Sequence, residues 1–151
     1  MCDLSIINLR HCEPVMRANI IRESLADELL DGYHPDRKRT HYLYIGRPGK
    51  LGNPIRVGSE CIVCGSKHAK GETLPCYEVW ARNEMSTNPA FEAAVWDIGD
   101  RTLACWCAPD KCHGEILRKL WRESCDKHYE SFLCEIETTD EHGISNLEGR
   151  V

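Results

Sequence analysis

Two short runs of cysteine and histidine have types and spacing suited to binding a metal. The first is Cys61-x-x-Cys64-x-x-x-His68, followed eight residues on by Cys76. The second is Cys105-x-Cys107-x-x-x-x-Cys112-His113. Thiolate sulfur and imidazole nitrogen are the donors that tetrahedral zinc prefers. The chain is therefore expected to hold zinc, one ion if the clusters share it and two if they do not. In the first cluster Gly65 follows Cys64, and a glycine there allows a knuckle turn in which backbone N–H groups approach the first sulfur. Cys61, Cys64, His68 and Cys76 would complete one site. Alternatively, Cys61 and Cys64 join donors from the second cluster. The competing active reading is a redox C-x-x-C, but that motif normally opens a helix after a strand, and this one sits in a polar stretch.

The second cluster has a different setting. Leu103 to Cys107 reads as a strand, so alternation puts Cys105 and Cys107 on the same side. A Pro109-Asp110 turn, with Asp110 as cap, would then bring Cys112 and His113 to a helix start, where free N–H groups favour a thiolate. His113 shares a helical face with Ile116, Leu117 and Leu120 and should point inward. Cys105, Cys107, Cys112 and His113 are the expected ligands. Cys107, Cys112 and His113 are also the candidate catalytic centre, supplying a metal-bound water or a nucleophile. Glu115 stands near enough to act as general acid or base, or is simply an acid favoured in the first turn of a helix. The bland alternative is a cysteine-rich core strand followed by a capped helix.

A third feature is the loop from Gly46 to Pro54, with glycines at 46, 49 and 52 and prolines at 48 and 54. It follows a β-rich run, and in α/β sheets ligands bind at such carboxyl-end loops. Arg47 offers a planar fork for phosphate or carboxylate, and Asn53 an amide for a base edge or ribose hydroxyl. The loop is neither a dinucleotide fingerprint nor a Walker loop, so a structural role with Arg47 in a salt bridge stands level with the ligand reading.

Strands are expected at Leu4–Leu9, His41–Ile45 and Arg101–Cys107. Helices are expected at Pro14–Leu30, stopped by Gly32, at Cys76–Glu84, at Pro89–Ile98 and from about Lys111 to His128. Alternation of the two predicts an α/β domain with a small, partly parallel sheet flanked by helices and interrupted by an inserted zinc-binding loop. One domain over residues 1–134, with a knuckle insertion at 61–76 and a loose polar tail at 135–151, accounts for all 151 residues. Ten cysteines without a secretory leader indicate a reducing, cytoplasmic setting, in which clustered thiols signal metal or catalysis. The isolated Cys2, Cys12, Cys125 and Cys134 read as small buried apolar residues. No apolar run approaches the ~20 residues of a membrane span, and the net charge of −5 argues against a general grip on nucleic acid.

Five segments in order, Ser5 to Arg10, Tyr44 to Pro48, Leu51 to Pro54, Tyr77 to Trp80, and Leu103 to Gly114 with its CWCAPDKCHG core, resemble domain-of-unknown-function family 4326 over most of residues 4 to 122. The resemblance implies a compact α/β domain of phage or prophage origin, working in the host cytoplasm, with no established activity. It adds Asn8 to the motif positions that should converge with Arg47, Asn53, Cys105, Cys107, Cys112 and His113. The domain is also similar in general type to nucleotide-binding α/β domains of the nucleoside deoxyribosyltransferase and nucleotide-sensor group. Three functions follow. In the first, an enzyme binds or processes a nucleotide, nucleoside or modified base, with Arg47 on phosphate and Asn8 and Asn53 on base or sugar. In the second, a non-catalytic zinc-bearing module grips a host protein or nucleic acid, with Arg37, Lys38, Arg39, His41 and Tyr42 as one contact patch. In the third, a cysteine-based enzyme works without metal.

Overall fold

Three short strands build the sheet, and the last of them in the chain lies in its middle. A computed structural model describes residues 6–28, 40–107 and 111–148, with side chains up to residue 131. Strand β1 is Ile6–Asn8, β2 is Tyr42–Tyr44 and β3 is Thr102–Cys105. Both outer strands run parallel to β3, with Ile6 opposite Leu103 on one side and Leu43 opposite Leu103 on the other. The sheet is thus parallel throughout. The expected Gly32 stop, the Arg37–Arg39 patch, the Pro109-Asp110 turn, Cys2 and the side chain of Cys134 lie outside the described residues.

Alternation along the strands separates two cores. Leu43, Leu103 and Cys105 pack on one face with Tyr77, Val95 and Leu117, which come from helices α2 (Leu74–Thr87), α3 (Pro89–Trp96) and α4 (His113–Glu148). Tyr44 and Ala104 pack on the other face with Ile20, from helix α1 (Pro14–Glu28), and Leu9, from a 3₁₀ turn after β1. Helices on both faces of a parallel sheet account for the apolar β3, which is buried at every position.

The helix ends follow local chemistry. Pro75 and Pro89 stand in the first turns of α2 and α3, where a missing N–H costs nothing. The Asn88 side chain caps α3 by accepting from the N–H groups of Ala90 and Phe91. α4 runs to Glu148, well past the expected end near His128. Beyond Leu120 and Trp121 the helix continues through strong helix formers such as Glu123, Lys127 and Glu130.

Two buried polar groups tie the layers together. The Ser24 hydroxyl accepts from the backbone N–H of Tyr44, joining α1 to β2. Arg101, 2% exposed, donates to the carbonyl and hydroxyl oxygens of Thr40 and pairs with Asp97. Arg101→Leu leaves those acceptors buried without their donor. It is expected to cost about 2–4 kcal/mol, read as a lower midpoint in urea unfolding at unchanged slope. By contrast, Arg82 pairs with Glu78 and Glu123 across α2 and α4 in largely solvated positions, and such pairs contribute little.

Candidate metal centres and a basic cleft

The knuckle assembles as its spacing predicts. Sγ of Cys61, Cys64 and Cys76 and a ring nitrogen of His68 all lie within 4.8 Å of one another. Cys64 Sγ and His68 Nε2 are 3.3 Å apart. Around a zinc ion with bonds of ~2.0–2.3 Å, tetrahedral ligand atoms stand about 3.5–3.8 Å from each other, so the donor set fits. Gly65 takes the left-handed conformation, φ +76°, that the turn demands. Its N–H donates to the Cys61 carbonyl, and the Val63 N–H approaches the Cys61 sulfur at 3.4 Å. Burial raises the Cys61 thiol, but the N–H groups of Cys64 and Val63 and the His68 and Cys64 side chains outweigh it and draw it down to about 6. Cys76 is pushed up to about 11, by burial and then by the neighbouring Cys64 and Cys61. Cys76 sits in the first turn of α2, so this cluster brings together the loop that carries Cys61, Cys64 and His68 and the domain's own helix.

The second cluster comes together at the end of β3. The sulfurs of Cys105, Cys107 and Cys112 lie within 4.8 Å of one another, with Cys107 and Cys112 3.6 Å apart. Cys105 and Cys107 both pack on the α2–α4 side, as alternation requires. The adjacent Cys105 raises the Cys107 and Cys112 thiols, with burial adding to both. A divalent cation relieves such crowding by letting the sulfurs ionise.

His113 stands apart from this set of three. It is buried, and its Nε2 lies 2.6 Å from the Ile45 carbonyl oxygen, which can only accept, so Nε2 carries the proton. Nδ1 is left facing Cys112 Sγ at 3.9 Å. Burial lowers the His113 pKa, which keeps the ring neutral. A ring held through a backbone carbonyl is the usual support of a metal-bound histidine. Here it positions the start of α4, against Tyr77.

A cleft of about 760 Å³ opens beside this cluster. Arg47, Asn53, Cys105, Cys107 and His113 line it, so five of the expected site residues converge. Cys112 lies behind them, 2% exposed. Asn8 and Glu115 are not among the lining residues. The Asn8 amide oxygen instead caps the 3₁₀ turn by accepting from Arg10 N–H, and Glu115 is exposed on the first turn of α4. The Asn53 amide is also engaged within the fold, accepting from Ile55 N–H and donating to the Thr73 hydroxyl.

The cleft is also lined by residues that the sequence motifs do not single out as site residues, among them Arg56, Lys70, Lys111 and Trp106. Lys111 adjoins Cys112, and Trp106 sits between two predicted ligands; those adjacencies were the available signals. Trp106 is held by its Nε1–H, which donates to Tyr44 Oη, while the Arg17 guanidinium lies 5.8 Å from the ring centre. Tyr44 Oη in turn donates to the Arg47 carbonyl at 2.7 Å, fixing the Gly46–Arg47 corner. A Cβ on Gly46 would collide with the Tyr44 ring, so only glycine admits this arrangement.

These features define a parallel α/β domain with two sulfur-rich clusters fit for metal, one of them beside a basic cleft. The chain belongs to the family described as Domain of unknown function (DUF4326), which matches residues 33–123. That span contains both clusters and the cleft loop, while β1 and α1 precede it. No curated protein and no solved structure was found to match the chain. No helix among the described residues is long and apolar enough to cross a membrane.

Proposed function

We propose that the protein binds a phosphorylated, nucleotide-like small molecule in the cleft, beside a zinc ion held by Cys105, Cys107 and Cys112, with a second, structural zinc in the knuckle. One observation carries this reading. Arg47, Arg56, Lys70 and Lys111 line the same space as two metal-ligating sulfurs, and among the described residues no carboxylate pairs with any of the four. A concentration of positive charge in a chain of net charge −5 suits an anionic ligand. The volume lies within the ~300–1,000 Å³ usual for small-molecule sites, and Trp106 supplies an aromatic surface for a base. A zinc with three protein ligands keeps a fourth position for water or substrate and polarises an oxygen bound there. The chain's own part is to orient the ligand, with Arg47 offering a bidentate fork and the Tyr44–Trp106 pair holding the loop that presents it. On the family resemblance alone, we read the protein as phage- or prophage-derived and active in the host cytoplasm.

Thermal unfolding with ADP, adenosine and inorganic pyrophosphate tests the binding reading. At a hundredfold excess over Kd, ADP should raise the melting temperature by about 5–10 °C. The shift should shrink with salt, and adenosine alone should give far less. No shift with any phosphorylated ligand at low salt would sink the reading. A second reading, a non-catalytic module that docks on a macromolecule, draws on Ile62 and Val63, which the knuckle tip exposes to solvent at 65% and 36%. Tight binding to an immobilised protein or nucleic acid, lost on Ile62→Asp and unaffected by ADP, would favour it.

A further inference from the structure

We infer that Arg56 and Lys70, on the two legs of the knuckle, form the wall of the cleft that receives the ligand's phosphate, and that the knuckle's metal ligands set the spacing of this pair. The inference rests on the reading of the cleft as an anion site and adds to it which residues bind the anion and what holds them.

The argument begins with register. The Gly58 N–H donates to the His68 carbonyl at 3.0 Å, and Glu60 and Lys67 form an antiparallel bridge further up. Two residues outward from the Gly58–His68 bond, one on each leg, stand Arg56 and Lys70. Both line the cleft, together with their neighbours Val57 and Gly71. Such a pair, reaching from opposite legs, suits the several oxygens of a phosphate or pyrophosphate group.

The legs have little else to fix them. Arg56, Val57, Gly58 and Ser59 are exposed on one leg and Ala69, Lys70 and Gly71 on the other, and Gly58 and Gly71 take left-handed φ of +75° and +87°. Few buried apolar contacts and two glycines leave a segment cheap to open. Of the four knuckle ligands, Cys61, Cys64 and His68 lie between the legs and Cys76 lies on α2. A metal on these four therefore pins both legs to the helix that borders the cleft. Without it, the two cations lose their common frame.

The test measures pyrophosphate binding by calorimetry at low salt, with zinc per chain determined on each preparation. The wild-type protein is expected to bind. The double variant Arg56→Gln/Lys70→Gln should weaken binding at least tenfold while keeping its full metal content. Cys64→Ser should lose one zinc per chain and weaken binding to a similar degree. Lys67→Gln makes the same kind of charge change on the knuckle away from the cleft and should bind as the wild type does. If the wild type binds and the double variant binds equally well, the phosphate lies elsewhere in the cleft and the inference falls while the proposed function stands. Equal losses in Lys67→Gln would reduce the effect to general charge and overturn it too. Unchanged binding in Cys64→Ser despite the lost zinc would overturn the role of the metal. Absence of binding by the wild type would remove the anion site and the inference with it. Should Cys64→Ser not fold, the double variant still decides the wall, and His68→Gln, which removes another group of the same cluster, decides its support.

Discussion

Cys61→Ala is expected to remove one zinc per chain and to lower the melting temperature by on the order of 10 °C. Two losses coincide at this residue. It is one of the four groups placed to hold the proposed knuckle metal, and it is also 3% exposed within the main core cluster, alongside Ile55 and Tyr77. Structural zinc supplies folding free energy directly, because the site does not exist in the unfolded chain. Cys64→Ala is the informative partner. That residue is exposed, so its substitution removes the metal without touching the core, and the drop should be smaller. Calorimetry with elemental analysis on both variants measures the two contributions separately. Retention of full zinc content by Cys61→Ala, or an unchanged transition, would show that the knuckle is not what holds this region.

Cys112→Ala should have the opposite profile. It should also lose one zinc, and ADP affinity should fall at least tenfold, about 1.4 kcal/mol, while the melting temperature drops only a few degrees. The side chain is small and its replacement leaves the core shape nearly intact. The local cost is one buried sulfur of the core cluster with its weak contacts to Cys107 Sγ, His113 Nδ1 and the Gly114 N–H. His113→Ala is a poor substitute, because it would also strip the hydrogen bond to Ile45 and the ring contact with Tyr77. If Cys112→Ala lost its zinc and kept its ADP affinity, the metal would have no part in the cleft. If it kept both zincs, the three-sulfur centre itself would be in doubt.

The contrast between the clusters shows what could be read in the residues beforehand. The knuckle was legible because three of its ligands lie within eight residues and the fourth follows closely, so local geometry alone assembles it. The three strands were legible for a similar reason, since Ile6-Ile7, Tyr42 to Ile45 and Leu103 to Cys105 are apolar, β-rich runs. The cleft was only half legible. Arg47 and the cysteines announced themselves by motif, but Arg56 and Lys70 are separated by the whole knuckle and meet only through its pairing. Asn8 and Asn53 illustrate the converse. An amide suits a ligand and a backbone equally well, and here both side chains bond to backbone groups. For His113, spacing predicts proximity to the sulfurs but not which nitrogen faces them; the Ile45 carbonyl decides that. For α4, the stripe of Ile116, Leu117, Leu120 and Trp121 marks where the helix begins but does not fix where it ends.

The placing of β3 between β1 and β2 has a consequence for how the chain comes to be folded. Neither outer strand pairs with the other, so the sheet waits for residues 102–105. During synthesis β1 and β2 emerge before the strand that pairs with both of them, and contacts as distant as Ile6 with Leu103 close late, which makes for slow folding. The knuckle cysteines leave the ribosome well before that moment and need only α2 beside them. A metal taken up there would give the nascent chain its first fixed point, ahead of the sheet and of the cleft that the sheet completes.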